Sequence, residues 1–501
     1  MTKRLDFIKI LFVGLLLFII IFPISYNINF KQDDDWIYYK QVRSILKGNM
    51  ELNSYIEATF FVQGFMGAVF TRVFSLNKLP VLTLFVSILN FIIFTSLIYK
   101  FYIKRLKESL MIGMLFFFVP INIFSMLGFM TENYFLLFFL TTLFFIECFL
   151  STNKKIYFIL INLSAILGFF VRQVSIISLI AFILYLVATK RFKHALMETG
   201  ISVALLGIYF FLFNLTDTMK DNHAFRFENL LNIRNSFTLI HIFLFYAVCF
   251  VLPLIFTVFI KQKKVLFISV SLLIILFLFK APEMFLLSGV MSESGFFTGD
   301  ALGIKYQIRA ENYVYAFWQR LAEIGIFLSA LFLFFKRKKL LNYYLFYIFL
   351  YIGVMLVMVN VYDRYTLPLV VVFLILLTSL FDELRFDKIQ TLVFSIGLIL
   401  MMIYSYNFGM DFFLLNKRLW DYSNSFSKTQ HVNKNDISAG YGWNRVYYNG
   451  ANSYKYIFNF QEKNTDTELK CCYSVLDTLY IKYPFNFFKD PKVYFYNRRA
   501  Y

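Results

Sequence analysis

Hydrophobic stretches of about 18 to 22 residues recur along this chain, each long enough to cross a bilayer core of roughly 30 Å. One of the first runs LFVGLLLFIIIFPIS, residues 11–25, with no charge in it. Segments of this kind cannot all be covered by one water-soluble layer of helices or strands. With 59% of residues hydrophobic and 16% charged, the composition is more apolar and less charged than that of soluble domains. The chain therefore reads as an all-α polytopic membrane protein. The stretch 7–25 follows Lys3 and Arg4, and no small-x-small cleavage site comes after it, so an uncleaved signal anchor is expected.

A net charge of +19 would suit nucleic acid if the basic residues lined one face. Instead they gather in short loops: Lys100, Lys104, Arg105 and Lys107; Lys154 and Lys155; Lys190, Arg191 and Lys193; Lys261, Lys263 and Lys264; Lys336 to Lys339. Short basic loops mark the cytoplasmic side, so the charge is a topology signal. With these loops inside, spans fall at 7–25, 80–99, 110–127, 133–150, 156–171, 174–189, 199–214, 238–260, 265–279, 313–335, 340–359, 366–381 and 389–405, about thirteen in all. The apolar block 156–189 is too long for one span and basic at both ends, so it turns near Val171–Arg172–Gln173. The N-terminus is then inside and the C-terminus outside.

This topology puts the polar residues on the outer face, in a first loop over 26–79, short loops at 128–132, 172–173 and 360–365, and longer ones at 215–237 and 280–312. Two domains follow: a membrane domain over 1–405 and a small mixed α/β extracytoplasmic domain over 406–501, where RVYYNG and VYFYN predict short strands. Within the first loop, 36–47 and 60–74 have the apolar spacing of two amphipathic helices lying on the membrane surface, with Gly48-Asn49 as a stop. Cys148 and Cys249 fall in or near spans; Cys471 and Cys472 are adjacent near the C-terminus; no metal-binding cysteine spacing occurs.

In a basic protein, the segment NFKQDDDWIYYKQ (29–41) concentrates negative charge where the chain leaves its first span. Asp33, Asp34 and Asp35 would suit a helix start, where Asp is favoured. Alternatively, adjacent carboxylates at an apolar surface repel one another, which suits one of them to accept a proton as a general base. Glu132, in GFMTENYF, has the same two readings, a first-turn acid behind a capping Thr131 or a reactive acid. Certain cations near the outer ends of the spans stand out: Arg172 in FFVRQVS, Arg364 in VYDRYTLP, Lys305 and Arg309 in GIKYQIRAEN, and Arg320 three residues before Glu323. Each needs a partner at the membrane boundary. Asp363, Glu323 or the acidic cluster would serve, and so would a lipid phosphate. Three acids together also invite a divalent metal, but adjacent helical residues do not aim at one ion, so no cofactor is assigned.

Taken together these features resemble the GT-C superfamily of polytopic glycosyltransferases, in particular the aminoarabinose transferases of lipid A and the protein O-mannosyltransferases. DDWIYY looks like that family's acidic pair in the first outer loop, with Asp34 matching the catalytic acid, Asp35 the second acid and Tyr38 the aromatic that follows. TENYF is similar to the acid-bearing start of a later span, here Glu132. DRYTLPLV is similar to an Arg-Tyr-x-x-Pro segment, giving Arg364, Tyr365 and Pro368. One departure stands out: a basic-Pro-Pro segment common in the family is replaced by ATFFVQGFMG, so a donor contact made by that segment would come from elsewhere, with Gln63 one candidate. The resemblance implies transfer of one sugar from a polyprenyl-phosphate carrier to an extracytoplasmic acceptor, with inversion, in the cell inner (plasma) membrane. Asp34 would be the base, Arg172 and Arg364 would stabilise the leaving phosphate, and Trp36 and Tyr38 would stack on the sugar. A transporter or flippase is the rival from another class. An oligosaccharide polymerase or ligase working through Lys305 and Arg309 is another.

Overall fold

The structure, a computed structural model, describes residues 2–32, 34–52, 56, 59–215, 233–260, 321–330, 342–358, 361–380, 385–447, 454–459, 473–482 and 492–498. Asp33, Lys305, Arg309, Arg320, Cys471, Cys472, the expected span 265–279 and the outer loop 280–312 lie outside the described residues.

In chain order the helices are α1 (Thr2–Tyr26), α2 (Asp35–Leu46), α3 (Val62–Val73), α4 (Leu79–Leu97), α5 (Leu106–Phe117), α6 (Pro120–Met126), α7 (Thr131–Thr152), α8 (Lys155–Phe169), α9 (Ile176–Ala188) and α10 (Phe192–Leu215). They continue as α11 (Ile233–Cys249), α12 (Leu252–Phe259), α13 (Leu321–Ala330), α14 (Tyr343–Val357), α15 (Leu367–Ser379), α16 (Lys388–Thr429) and α17 (Tyr441–Tyr447). Among the described residues five helices are long and apolar enough to cross a membrane, or seven if two bent pairs each count as one span. The protein is thus a mostly helical membrane protein, and a count of thirteen spans is not shown. The reason is helix length. The stretches expected to span at 156–171, 174–189, 340–359 and 366–381 form helices of 13 to 15 residues, about 20 to 22 Å at 1.5 Å per residue. The stretch at 110–127 breaks into α5 and α6 at an angle of 67°, and the one at 238–260 breaks into α11 and α12 at 73°, each new helix opening with a proline in its first turn.

Between α1 and α4 the chain forms two helices where the amphipathic spacing predicts them, α2 and α3. Gly48, at a φ of +84°, follows the end of α2 and takes a backbone conformation that side chains disfavour.

The boundary expected at 405/406 falls inside α16. That helix starts on a full capping box, in which Asp387 accepts from the Gln390 amide and Gln390 from the Asp387 amide. It then runs for 42 residues, about 63 Å, roughly twice a bilayer core. Its far end is covered by a four-stranded sheet in the order β1 (Ile437–Ser438), β2 (Tyr456–Asn459), β4 (Lys492–Arg498), β3 (Tyr473–Tyr480). β1 and β2 are parallel; the other neighbours are antiparallel. Tyr422 and Phe426 of α16 pack edge-on against Phe495 of β4 at ring separations of 5.2 and 4.9 Å. VYFYN forms β4 as expected. In RVYYNG, Arg445 to Tyr447 are helical instead, because Trp443 is buried against Trp420 of α16, at 5.1 Å, by a short helix.

This C-terminal unit grips residues 29–31, between α1 and α2. Asn29 donates to Asp421 of α16 at 2.7 Å, Phe30 packs on Phe412 and Phe413, and Gly442 of α17 lies against the Lys31 carbonyl. A Cβ at Gly442 would collide with that backbone oxygen, which cannot rotate away as a side chain would. Gly442→Ala is therefore expected to lower stability by about 1–3 kcal/mol, the usual cost of overpacking. Thermal unfolding in detergent, with limited proteolysis of the 29–34 segment, would measure it; an unchanged midpoint would rule the contact out.

Candidate functional site

Four charged residues far apart in the chain meet at one point. Asp34 holds the N-cap position of α2 but makes no side-chain cap. Its carboxylate reaches across to Arg364, accepting from Nη2 at 2.8 Å. Glu132 is the second residue of α7, whose N-cap is Met130, and no side chain caps that helix, Thr131 included. Glu132 Oε1 accepts from Arg172 Nη1 at 3.2 Å and lies 3.2 Å from Arg364 Nε. Neither Asp34 nor Thr131 caps its helix through its side chain, while Glu132 does lie in the first turn of α7, and both acids in addition pair with arginines.

Breaks in the helices deliver the two arginines. Between α8 and α9 the chain leaves helical geometry at Arg172 (φ −148°, ψ 129°) and makes a 3₁₀ turn over Gln173–Ser175. Between α14 and α15 a second 3₁₀ turn, Asp363–Thr366, carries Arg364, and Pro368 sits in the first turn of α15. Each guanidinium also lies over an aromatic ring, Arg172 at 4.6 Å from Tyr365 and Arg364 at 4.9 Å from Tyr362. Glu132, Arg172 and Arg364 are 4, 8 and 7% exposed, while the Asp34 side chain keeps 32%. Two acids and two guanidiniums cancel formally, as burial demands. Glu132 Oε2 is buried with no hydrogen-bond partner among the described residues. Beside it is a cavity of about 10 Å³, room for roughly one water, lined by Glu132, Arg172, Tyr351, Arg364 and Tyr365.

Other expected site residues sit elsewhere. The Asp35 carboxylate turns inward, away from Asp34, and accepts from the Phe129 amide at 2.8 Å. Gln63 is fully buried and donates to the Phe129 carbonyl at 3.0 Å. Tyr38 stacks on Phe60 of the same loop at 4.8 Å. Trp36 is largely buried, with Lys40 and Arg445 over its ring at 4.6 and 5.9 Å. Two residues that the motif reading passed over are Lys31 and Gln32. Both directly precede the acidic run, and a polar pair beside a span end was the signal available. Lys31 Nζ lies 3.3 Å from the centre of the Tyr39 ring. Burial pushes its ammonium down to about 7, with the Asp35 carboxylate opposing.

An apolar groove of about 600 Å³ opens between α1, α6 and α16, lined among others by Leu17, Ile21, Ile24, Met126, Leu127 and Met402. Met126 and Leu127 lead directly into Gly128, which abuts the Asp35 carboxylate. The groove therefore adjoins the loop that runs to Glu132.

Two outcomes follow from these charges. Glu132→Gln leaves two buried guanidiniums without their shared carboxylate, which should cost about 3 kcal/mol or more, whereas Asp34→Asn, at a partly exposed position, should cost less; thermal unfolding of both variants would compare them. For Lys31, the folded protein releases a proton near pH 7 and the unfolded chain only near 10.5. Unfolding then takes up a proton between those values, so stability rises with pH across that window. Lys31→Met should flatten the rise between pH 7 and 10, read as melting temperature against pH.

No protein-family model matches the chain, and no curated protein matches it either.

Proposed function

We propose that this protein is a membrane glycosyltransferase of the GT-C kind, moving a single sugar from a polyprenyl-phosphate carrier to an extracytoplasmic acceptor, whether lipid, glycan or protein. The observation that carries this reading is the meeting of Asp34, Glu132, Arg172 and Arg364, in a protein that also has an apolar groove with space for part of a lipid chain, lined by Leu127 five residues before Glu132. Short basic loops on one side and acids on the other support an inner (plasma) membrane protein with the N-terminus cytoplasmic, the C-terminal unit outside and about thirteen spans.

In the proposed reaction the acceptor hydroxyl attacks the anomeric carbon from the face opposite the phosphate. Its oxygen–carbon bond forms as the bond to the phosphate oxygen breaks. The hydroxyl proton passes to Asp34, the most exposed member of the cluster, and polyprenyl phosphate leaves with the electron pair. The anomeric centre is inverted. Arg364 and Arg172 offset the charge gathering on the phosphate in a poorly hydrated site, where such stabilisation is strongest. A guanidinium has five donors, enough to hold a carboxylate and a phosphate oxygen at once. Glu132 fixes both guanidiniums in place. No cofactor is assigned, since the guanidiniums meet the phosphate charge.

A transporter is the second reading, and one observation favours it. Glu198, on α10, is fully buried; Asn162 of α8 donates to it at 3.0 Å, and its Oε2 has no partner among the described residues. Buried carboxylates within membrane helices often mark transport paths.

Membrane vesicles given radiolabelled polyprenyl-phosphate sugars would test the two readings. Wild type should release polyprenyl phosphate or label an acceptor, and Asp34→Asn, at matched expression, should be slower by about 10²- to 10⁴-fold, the usual contribution of a general base. Equal rates would remove Asp34 as the base. No turnover of any donor, together with Glu198-dependent uptake, would favour the transporter.

A further inference from the structure

The backbone just before Glu132 is held by three buried polar side chains of the first outer loop. Gln32 Nε2 donates to the Phe124 carbonyl at 2.8 Å, Asp35 Oδ1 accepts from the Phe129 amide at 2.8 Å, and Gln63 Nε2 donates to the Phe129 carbonyl at 3.0 Å. These side chains are 1, 1 and 0% exposed. Both backbone polar groups of Phe129 are thus taken by one loop, from two different helices, α2 and α3. The Phe129 ring is fixed as well, edge-on to Tyr39 of α2 at 6.1 Å and to Tyr134 of α7 at 5.4 Å. Between the two gripped carbonyls lies Gly128, where an added Cβ would stand 2.7 Å from Asp35 Oδ2. Only a residue without a side chain allows the carboxylate this close to the backbone.

We propose that Asp35, with Gln32 and Gln63, is a positioning residue that locks the 124–130 segment to the first outer loop and so sets Glu132 and its two arginines opposite Asp34. The catalytic part of this inference rests on the transferase reading; the lock itself does not. Asp34 and Asp35 are neighbours at the start of one helix, about 100° apart around its axis. One carboxylate faces Arg364 and the other the interior, so the acidic pair divides into a reacting and a holding member. A carboxylate accepting a backbone N–H makes a stronger bond than a neutral acceptor would, which suits a joint that must stay closed while a charged substrate comes and goes. From Phe129 to Glu132 is three residues, so a shift of the joint passes directly to the acid that orients both guanidiniums.

The test uses full-length protein in nanodiscs, with two independent readouts. The first is hydrogen exchange of the 124–131 segment, which needs no substrate. Asp35→Ala should speed exchange there by about ten- to a hundredfold, as expected for a lost buried hydrogen bond, with β4 unchanged. Asp35→Asn, which keeps an acceptor oxygen, should restore most of the protection. The second readout is sugar transfer. Asp35→Ala should lower kcat far more than it changes KM, Asp35→Asn should recover at least tenfold of that loss, and the pH profile should keep its wild-type shape. Gly128→Ala, which presses on the joint from the other side, should copy Asp35→Ala in both. Unchanged exchange in Asp35→Ala would overturn the lock. Normal exchange in Asp35→Asn with activity as low as in Asp35→Ala would also overturn the inference, making the Asp35 charge part of the chemistry. If wild type transfers no sugar, the transferase reading fails while the exchange data still decide the lock.

Discussion

One buried carboxylate, shared by two guanidiniums, organises this molecule. Glu132 is almost out of contact with water and so are Arg172 and Arg364. Buried charges of this kind need partners, and the two guanidiniums are balanced only when Asp34 is counted with Glu132. Glu132 ties the start of α7 to the breaks between α8 and α9 and between α14 and α15. Asp34, at the start of α2, closes the set. Sequence separations of 40 residues between Arg172 and Glu132, and 330 between Arg364 and Asp34, are thereby brought within hydrogen-bond range.

Bringing charges to that point requires interrupting helices, and the interruptions explain why apolar stretches do not convert simply into a count of spans. Arg172 and Arg364 both sit where α-helix gives way to a 3₁₀ turn, and the flanking helices, at 13 to 15 residues, are shorter than the roughly 20 residues of a typical span. Both breaks are packed in protein: Arg172 and Arg364 are buried, and so is nearly the whole length of α15. The bends after Phe117 and Cys249 follow the same principle, each restarted by a proline.

The segment between α1 and α4 is held by two sets of contacts. Gln32, Asp35 and Gln63 engage the backbone before Glu132. In addition, α16 and α17 close on Asn29, Phe30 and Lys31. A loop so anchored can present Asp34 at a fixed place while leaving it the most accessible member of the cluster. On the transferase reading this is what a base needs, since a proton is accepted only at hydrogen-bond distance.

Several of these features were legible in the residues alone. Long apolar runs made a helical membrane protein, the amphipathic spacing of 36–47 and 60–74 foretold α2 and α3, and the apolar block 156–189, too long for one span, had to turn near Arg172. Their place in short breaks between long apolar runs singled out Arg172 and Arg364, because an isolated charge in an apolar setting must have a partner. What local sequence could not decide was which partner. Asp34 and Asp35 are chemically identical neighbours, and only the packing of distant segments turns one toward Arg364 and the other toward the Phe129 amide. Trp443 likewise draws Arg445 to Tyr447 into a helix where the residues favoured a strand, and α16 runs on past the point where its apolar run ends. Hydrophobicity and charge are properties each residue carries with it. Pairing is a property of three-dimensional neighbours, and it was decided by the tertiary structure.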